Sequence, residues 1–392
     1  MSLYLFGMLD ACPPLSEEQQ KLIAQTTYFS GSERHKKWVQ YLLPTHAHWI
    51  DLNPPLEQVL NEYAQKDKED IILFVSGDPL FFGIGNLLVN RFPERKIYLF
   101  PHISSIQRLC QITQIPSHLV HTISLHGRTM QSLDRVLIKQ STHIGILTDK
   151  QHNPSYIAQY LISYGYLNYS MWVGEHLGGK EERLKSCTLQ EAAASSFSSL
   201  NAVLLIRNQK RPIPFGIPDQ ELHHLPQRPN MITKMPIRLM TLHALNILEQ
   251  TCLWDIGFCT GSISMEAKLK NPALRVVGFE KNPVCESLWE KNTQRWGLPG
   301  MTSLIGDFIE IDLSQVPKPD AVFIGGHGGK LHDMIPKINT HLSPGGIVVI
   351  NALKSEDIFL EQAQKQGWKT QKISKIQLPE HQPITILQAQ KP

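Results

Sequence analysis

Leu253-Trp-Asp-Ile-Gly-Phe-Cys-Thr-Gly-Ser-Ile-Ser264 is the stretch of sequence that decides the fold of the second half of the chain. Its apolar start predicts a strand, its glycines predict a turn, and the residues after them predict a helix. Such a turn lies at the carboxyl end of a parallel strand, where doubly wound α/β folds bind ligands. The helix N-terminus offers unpaired N–H groups to a carboxylate or phosphate. The segment therefore predicts a ligand site on a parallel α/β sheet.

Glu280 closes the strand that follows this turn. An acidic side chain at this spacing accepts hydrogen bonds from both ribose hydroxyls of an adenosyl ligand. A nicotinamide dinucleotide is disfavoured, because its G-x-G-x-x-G pattern needs glycines where this chain has Cys259 and Ser262. Gly306-Asp307, after the third strand, is placed to meet an adenine amino group, although an ordinary turn explains it as well. The spacing favours an adenosine-type cofactor.

Phe323-Ile-Gly-Gly-His-Gly-Gly-Lys330 ends the fourth strand at the same predicted sheet edge. Its four glycines let the backbone approach a bulky ligand closely, although a flexible loop without a ligand is the alternative. His327 is a candidate proton shuttle, since the ordinary pKa of histidine lies near neutrality. A histidine in such a loop can equally be a hydrogen-bonding side chain only.

Short apolar runs alternate with amphipathic stretches along the whole chain, which predicts mostly parallel sheets covered by helices. A segment rich in proline, glutamine and arginine at 208–236 lacks an apolar period and predicts a linker or entry arm. We predict a domain at 1–208, the linker at 209–236 and a second domain at 237–392. The expected strands are 3–6, 71–75, 96–100, 143–147, 170–173, 201–206, 252–256, 276–279, 303–305, 321–324 and 347–350, and a helix is expected at 238–249.

The N-terminal half carries its own candidate site at Val75-Ser-Gly-Asp-Pro-Leu-Phe-Phe-Gly83, between a predicted strand and a helix. Gly77 and Pro79 fix an unusual turn, and its exposed backbone can hold the polar end of a ligand. Ser105 lies at the start of a later helix. Arg128 lies in a predicted turn, and Arg34 belongs to a small basic cluster. The simplest interpretation of both is a charged side chain exposed to solvent.

Composition excludes several classes of protein. The 38 basic and 35 acidic side chains give a net charge of +3, which does not indicate a nucleic-acid or membrane-surface binder. Six cysteines without zinc-site spacing argue against a disulfide scaffold or a structural metal and favour a reducing cytoplasm. No run of about 18 apolar residues predicts a membrane span, and no secretion signal is recognisable.

The ordered motifs resemble those of the fused precorrin-6Y C(5,15)-methyltransferase (decarboxylating) family of cobalamin biosynthesis. The resemblance covers nearly the whole chain. Its first half rests on Ser76-Gly-Asp-Pro-Leu80, Ile103-Ser-Ser105, Ser124-Leu-His-Gly-Arg128, Leu147-Thr-Asp149, Asn153-Pro154, Gly174-Glu-His-Leu-Gly178 and Glu182-Arg183. Its second half rests on Phe215-Gly-Ile-Pro-Asp219, Met231-Ile-Thr-Lys234, Arg238, Asp255-Ile-Gly257, Thr260-Gly-Ser262 and Phe323-Ile-Gly-Gly326.

The resemblance implies a two-lobed tetrapyrrole methylase domain, which methylates carbon 5, followed by a Rossmann-like methyltransferase domain. The second domain would methylate carbon 15 and remove carbon dioxide from an acetate side chain at carbon 12 of the precorrin. It also implies S-adenosyl-L-methionine as cofactor, no metal, and assembly as a homo-oligomer. The implied cofactor-binding residues are Gly77, Asp78, Pro79, Leu80, Phe81, Ser105, Thr233, Gly257, Thr260, Gly261, Glu280, Asp307 and Phe308.

The residues predicted to act on the substrate are His327, Lys234 and Arg128. A tetrapyrrole carries several carboxylates, which require cations, and the candidates for this contact are Arg34, Arg128, Lys234, Arg238 and Lys330.

This chain departs from the family pattern at a few positions. The family usually has a small residue and a glycine where Phe258 and Cys259 stand, an acid at Pro236, and a second glycine near Gly7-Met-Leu9. A left-handed conformation at Cys259 would cost about 1 to 2 kcal/mol.

Two alternatives remain. One is that a domain, the C-terminal one first, has lost cofactor affinity, which would leave a monofunctional methylase or a binding protein. The other is a nucleic-acid methyltransferase. Two features argue against it: the chain lacks a basic stripe, and it has Gly325-Gly-His-Gly-Gly329 in place of an Asn/Asp-Pro-Pro-aromatic motif.

Overall fold

The chain divides into two units in the computed structural model, which describes residues 1–53, 55–226, 228, 231–379 and 381–392. The predicted division into 1–208, 209–236 and 237–392 stays a prediction, because the observed units are not continuous in sequence. The first unit comprises Met1–Arg128, Thr142–Gln159 and Tyr169–Asn208, and the second comprises Thr129–Ser141, Tyr160–Asn168 and Gln209–Pro392.

The first unit begins with a parallel sheet in the order β3-β2-β4-β1-β5. Its central strand β4 is an unbroken apolar run that is buried on both faces, as expected when helices cover a parallel sheet. The strands are β1 Ser2–Met8, β2 Tyr28–Gly31, β3 His48–Asp51, β4 Ile71–Ser76 and β5 Lys96–Phe100, and the helices are α1 Glu17–Gln25, α2 Glu33–Val39, α3 Leu56–Gln65 and α4 Gly85–Arg91.

A second sheet of the first unit has the order β6-β7-β10-β8-β9. Only β6 and β7 are parallel; the other pairs are antiparallel, so the prediction of mostly parallel sheets was wrong here. Its strands are β6 Val120–Ser124, β7 His143–Leu147, β8 Tyr169–Glu175, β9 Arg183–Cys187 and β10 Asn201–Arg207. The helices in this part of the chain are α5 Ser105–Thr113, α6 Gln131–Ile138, α7 Pro154–Ser163 and α8 Leu189–Ala193. Of these, α6 belongs to the second unit, and α7 is divided between the units after Gln159.

The second unit contains one sheet in the order β13-β12-β11-β14-β15-β17-β16. The first five strands are parallel, and β17 is antiparallel to both of its neighbours. The strands are β11 Cys252–Ile256, β12 Arg275–Glu280, β13 Met301–Ile305, β14 Ala321–Ile324, β15 Ile347–Ala352, β16 Lys369–Ile376 and β17 Ile384–Gln390. The helices are α9 Met235–Ala244, α10 Ser262–Lys270, α11 Val284–Trp296, α12 Leu331–His341 and α13 Glu356–Lys365.

Every strand predicted from the sequence is present, and the α/β fold class is confirmed. The helix expected at 238–249 begins earlier and ends at Ala244.

Part of the segment predicted as a linker at 208–236 packs into the core of the second unit. Ile217 and Leu222 are 0% and 2% exposed and belong to the core of the second unit, so their side chains anchor the segment. Residues 227, 229 and 230 of it lie outside the described residues.

Candidate active sites

The carboxyl ends of β11 and β14 meet where the strand order of the third sheet reverses. The connections that follow these strands leave on opposite sides, which opens a crevice at this edge. A cavity of about 740 Å³ lies there, within the second unit. Its lining includes Thr233, Lys234, Asp255, Gly257, Phe258, Cys259, Thr260, Glu280, Lys281, Asp307, Phe308, His327, Lys330 and Asn351.

The turn after β11 brings two stretches of backbone into close approach. Gly257 has φ +73°, and a Cβ on it would lie only 2.5 Å from the backbone nitrogen of Gly326 in the glycine-rich loop. Only glycine fits this position. Cys259 has φ +49°, so the left-handed strain that the sequence raised as a possibility is present. The turn keeps its shape despite a non-glycine residue.

Asp255 lines this cavity, although the residue is only 1% exposed. The Ser264 hydroxyl donates to its Oδ2 at 2.6 Å. Among the described residues its Oδ1 has no hydrogen-bond partner. Burial raises the pKa of Asp255 to about 7. A ligand that donates a hydrogen bond can therefore complete this carboxyl group.

Glu280 is held by backbone donors at the end of β12. The N–H groups of Cys259 and Asn282 donate to its Oε2 and Oε1, each at 2.9 Å. Both oxygens keep a further lone pair for a ligand. These two donors fix the carboxylate at the end of β12, where Glu280 lines the cavity, and its contact with ribose hydroxyls stays a prediction.

Asp307 forms ion pairs with two lysines that also line the cavity. Lys330 and Lys281 donate to its Oδ2 at 2.8 and 3.2 Å. The hydrogen bond from Lys330 keeps the pKa of Asp307 well below its usual range. Phe308 is 3% exposed and packs edge-to-face against Phe279, so its side chain serves the core and its backbone is the part left for a ligand.

His327 lies in the glycine-rich loop and lines the cavity. The N–H of Gly329 donates to its Nδ1 at 3.1 Å. Burial lowers the pKa of His327, which favours the neutral ring. The proton of that neutral ring must then be on Nε2. This arrangement suits a hydrogen-bond donor to a substrate better than a proton acceptor.

The other predicted residues of the second unit take different positions. Thr233, Lys234 and Thr260 line the cavity, whereas Gly261 does not; Gly261 lies against Trp289 and Met265. The sequence had placed Gly261 among the cofactor-binding residues.

Arg238 is not available to a substrate, contrary to the expectation from the sequence. It is 0% exposed. Its Nη1 donates to Asp219 Oδ1 and to Thr233 O, each at 2.6 Å, and its Nη2 donates to Ile217 O. Glu266 is also buried, and its Oε2 lies 3.5 Å from Arg238 Nε. Arg238 therefore stabilises the segment before α9.

A second cavity, of about 620 Å³, lies within the first unit at the turn after β4. Gly77, Asp78, Phe81 and Ser105 line it, while Pro79 and Leu80 do not. Gly77 has φ +59° and its backbone oxygen accepts from His102 N–H at 3.3 Å. The predicted turn and the predicted helix start thus meet at one cavity.

Two arginines of the first unit line this same cavity. The Arg34 guanidinium donates to the Ser76 hydroxyl at 2.9 Å, and burial lowers its pKa. Arg128 lies over the Phe82 ring, 5.4 Å from its centroid. Both are placed to meet an anionic group in the cavity.

Sequence reasoning missed residues that tertiary contacts bring to the cavities. Asp10 lines the cavity of the first unit, and its Oδ2 lies 2.8 Å from His176 Nδ1. Asn351, on β15, lines the cavity of the second unit. Neither belongs to a motif with recognisable spacing, since each lies far along the chain from its partner.

Within the described part of the chain, no cluster of three or more His, Cys, Asp or Glu residues could hold a metal ion. A separate search of the described residues finds no helix of the length and apolarity that crossing a bilayer requires.

Comparison with known proteins covers both halves. The model of the tetrapyrrole (corrin/porphyrin) methylases matches residues 15–193, and the model of the precorrin methyltransferase domain matches residues 227–392. A structure of precorrin-6Y C5,15-methyltransferase from Geobacter metallireducens is 28% identical, with a TM-score of 0.42 over 46% of this chain and 100% of that one.

Two of the curated relatives show the similarity at the level of sequence. The cobalt-precorrin-6B C(15)-methyltransferase (decarboxylating) of Salmonella typhimurium is 36% identical over 32% of this chain and 65% of its own length. The precorrin-6Y C(5,15)-methyltransferase [decarboxylating] of Sinorhizobium sp is 30% identical over 88% of this chain and 83% of its own length. With this extent of identity, and with both domain models matched in order, the chain belongs to the precorrin-6Y C(5,15)-methyltransferase (decarboxylating) family.

Proposed function

We propose that this protein transfers methyl groups from S-adenosyl-L-methionine to carbons 5 and 15 of a precorrin and removes carbon dioxide from its carbon-12 acetate side chain. The observation that carries the proposal is the pair of cavities, one in each unit, at the strand-end turns of Gly77 and Gly257. Family membership supports the same activity.

In the second unit, the cofactor fits the residues that line the cavity. The backbone at Gly257 leaves no room for a Cβ, Glu280 is oriented to accept hydroxyl donors, and Asp255 has a free oxygen. Thr233, Thr260, Asp307 and the backbone of Phe308 complete the proposed binding set. The cofactor supplies an electrophilic methyl group.

In the first unit, the proposed cofactor site is the turn from Gly77 to Phe81 together with Ser105. Asp78 accepts the N–H of Leu80 at 2.8 Å, which fixes the turn. Pro79 and Leu80 would act by shaping this turn, since they do not line the cavity themselves. This unit would methylate carbon 5, and the second unit carbon 15.

The protein's own contribution is to hold the reactants in place. An electron-rich macrocycle carbon is already a nucleophile, so the chain needs no nucleophilic residue of its own. Alignment at near-attack distance can lower a barrier by about 7 to 11 kcal/mol. We assign Arg34 and Arg128 in one cavity, and Lys234 and Lys330 in the other, to the carboxylates of the substrate. His327 would donate a hydrogen bond to the macrocycle.

Mass spectrometry of the product tests this function. The full chain is incubated with precorrin-6Y and S-adenosyl-L-methionine that carries a ¹³C-labelled methyl group. The expected product has gained two labelled methyl groups and lost one carbon dioxide. Unchanged substrate in the presence of folded protein would reject the proposal, and a single labelled methyl group would indicate that one unit has lost its activity.

A further inference from the structure

Asn351 lines the second unit's cavity with a half-buried side chain whose amide nitrogen has no hydrogen-bond partner among the described residues. It lies on β15, and its Nδ2 is shielded from solvent. An unpaired buried donor costs about 1 to 3 kcal/mol. Such a group in a cavity wall is expected to find its partner in a ligand.

Thr241 determines which amide atom is available. Its hydroxyl oxygen lies 3.0 Å from Asn351 Oδ1 and 2.8 Å from Ile237 O, and it has a single proton to donate. When that proton goes to Oδ1, the amide nitrogen is the atom that remains free. A carboxylate accepts hydrogen bonds only, so its binding selects this orientation of the amide.

The lysines that line this cavity, Lys234, Lys281 and Lys330, lie outside β15, α9 and β17. Lys281 and Lys330 both pair with Asp307. Asn351 itself lies between α9, through Thr241, and β17, where Ile386 is its cross-strand neighbour. The cavity-lining side chains from these two elements include Ile237 and Ile384, which are apolar.

We propose that Asn351 binds the acetate carboxylate that leaves as carbon dioxide; this inference rests on the proposed function. A cation would stabilise the carboxylate charge and slow its loss. A neutral amide orients the carboxylate with less stabilisation of its charge, and the apolar surroundings deprive it of water. Lys234 and Lys330 would then hold carboxylates that remain on the product.

The proposed step balances without an oxidant or a reductant. The bond between the methylene carbon and the carboxylate carbon breaks, and its electron pair moves into the conjugated macrocycle. Carbon dioxide leaves, and the former methylene carbon takes one proton from water. The acetate side chain thereby becomes a methyl group.

Two substitutions in the full chain test the role of Asn351. Asn351→Leu removes the donor at similar volume, and Asn351→Asp adds a negative charge beside the substrate carboxylate. We expect carbon dioxide release to fall by about tenfold or more in both, while S-adenosylhomocysteine affinity stays near that of the wild type. Asn351→Leu should not lower the melting temperature, because it removes an unpaired buried donor. Thr241→Val, which removes only the partner of Oδ1, should give a smaller loss.

The pH profile separates binding of the carboxylate from a structural role. A protonated aspartic acid is again a hydrogen-bond donor. The rate of carbon dioxide release by Asn351→Asp, relative to the wild type, should therefore rise as the pH falls, whereas that of Asn351→Leu should stay low. Asn90→Leu, at an exposed position of α4, is the matched control.

Wild-type carbon dioxide release in all variants, or a loss no larger than the loss of cofactor affinity, would overturn the role of Asn351. Absence of release from the wild type itself would instead reject the proposed function.

Discussion

Two residues of the turn after β11 differ in how well they suit its backbone conformation. Gly257 is confined by the backbone of Gly326, whereas Cys259 takes a left-handed conformation that favours glycine. The Cys259 thiol donates to Met231 O at 3.4 Å, and burial raises its pKa to about 12. The side chain thus packs as a small apolar group, and the turn retains a shape that fits a ligand in spite of local strain.

Cys259→Gly and Cys259→Ala separate this strain from the loss of the thiol. Both remove the sulfur, but alanine keeps the Cβ that the left-handed conformation disfavours. We expect the glycine variant to be more stable than the alanine variant by about 1 kcal/mol, as measured by urea denaturation of the full chain. Equal stabilities, or the reverse order, would show that the turn is not strained at this position.

At the level of residues, the structure agrees with the positions predicted from a motif that fixes backbone geometry, while the binding roles of these residues stay predictions. The turns at Gly77 and Gly257 and the acid at Glu280 line the cavities as expected. Prediction from the sequence failed where tertiary contacts decide, as for Arg238, whose partners lie in the segment that the sequence presented as a linker.

At the level of elements, most of the predicted strands are buried, although β5 and β13 contain no buried residue. The strands that the sequence analysis missed include β9 and β16, whose side chains are mostly polar and exposed at sheet edges. A half-exposed edge strand lacks the continuous apolar run that identifies a central parallel strand. The strands β7, β8 and β10 were predicted, but an apolar run does not tell whether a buried strand pairs parallel or antiparallel, so the antiparallel part of the second sheet was not predicted.

Arg238 on α9 forms hydrogen bonds with Asp219 and Ile217 in the preceding segment, and its replacement tests how much these contacts stabilise the fold. Arg238→Met leaves Glu266, which is 0% exposed, without its arginine partner. We expect a loss of about 3 to 5 kcal/mol in the free energy of unfolding.

The double variant Arg238→Met with Glu266→Met removes both charges and should lose less than the single variant. Arg275→Met, at an exposed position of β12, is the control and should change stability little. A loss in the double variant larger than that of Arg238→Met alone would contradict this account, and chemical denaturation gives the values.

Asp134 on α6 gives the second unit a pH-dependent stability. Burial raises its pKa to about 6, although hydrogen bonding from Tyr160 and the nearby Lys268 oppose this shift. Because the folded-state pKa lies above the unfolded value, the folded state favours the protonated carboxyl. The contribution is therefore fully present below about pH 4 and is lost as the pH rises through about 6.

Asp134→Asn should remove this dependence. Relative to wild type, the variant should gain stability between pH 4 and pH 7, by an amount on the order of a few kcal/mol. Denaturation at both pH values measures it, with Asp357→Asn at an exposed position of α13 as control. A stability difference that does not change with pH would refute the assignment.

At the scale of the whole molecule, each unit has its own sheet-edge cavity and its own set of cations. The order of the two matched domain models follows the order of the predicted domains along the chain. If both cavities hold the cofactor, each unit must bind one equivalent, and a change confined to one cavity must leave the other able to bind.

Calorimetric titration of the full chain with S-adenosylhomocysteine tests this requirement most directly. We predict two binding events per chain, and a single one in Glu280→Gln, whose amide can no longer accept from both Cys259 and Asn282. Glu286→Gln, exposed in the first turn of α11, should retain both. Failure of the wild type to bind two equivalents, or an unchanged stoichiometry and affinity in Glu280→Gln, would contradict the assignment of both cavities to the cofactor.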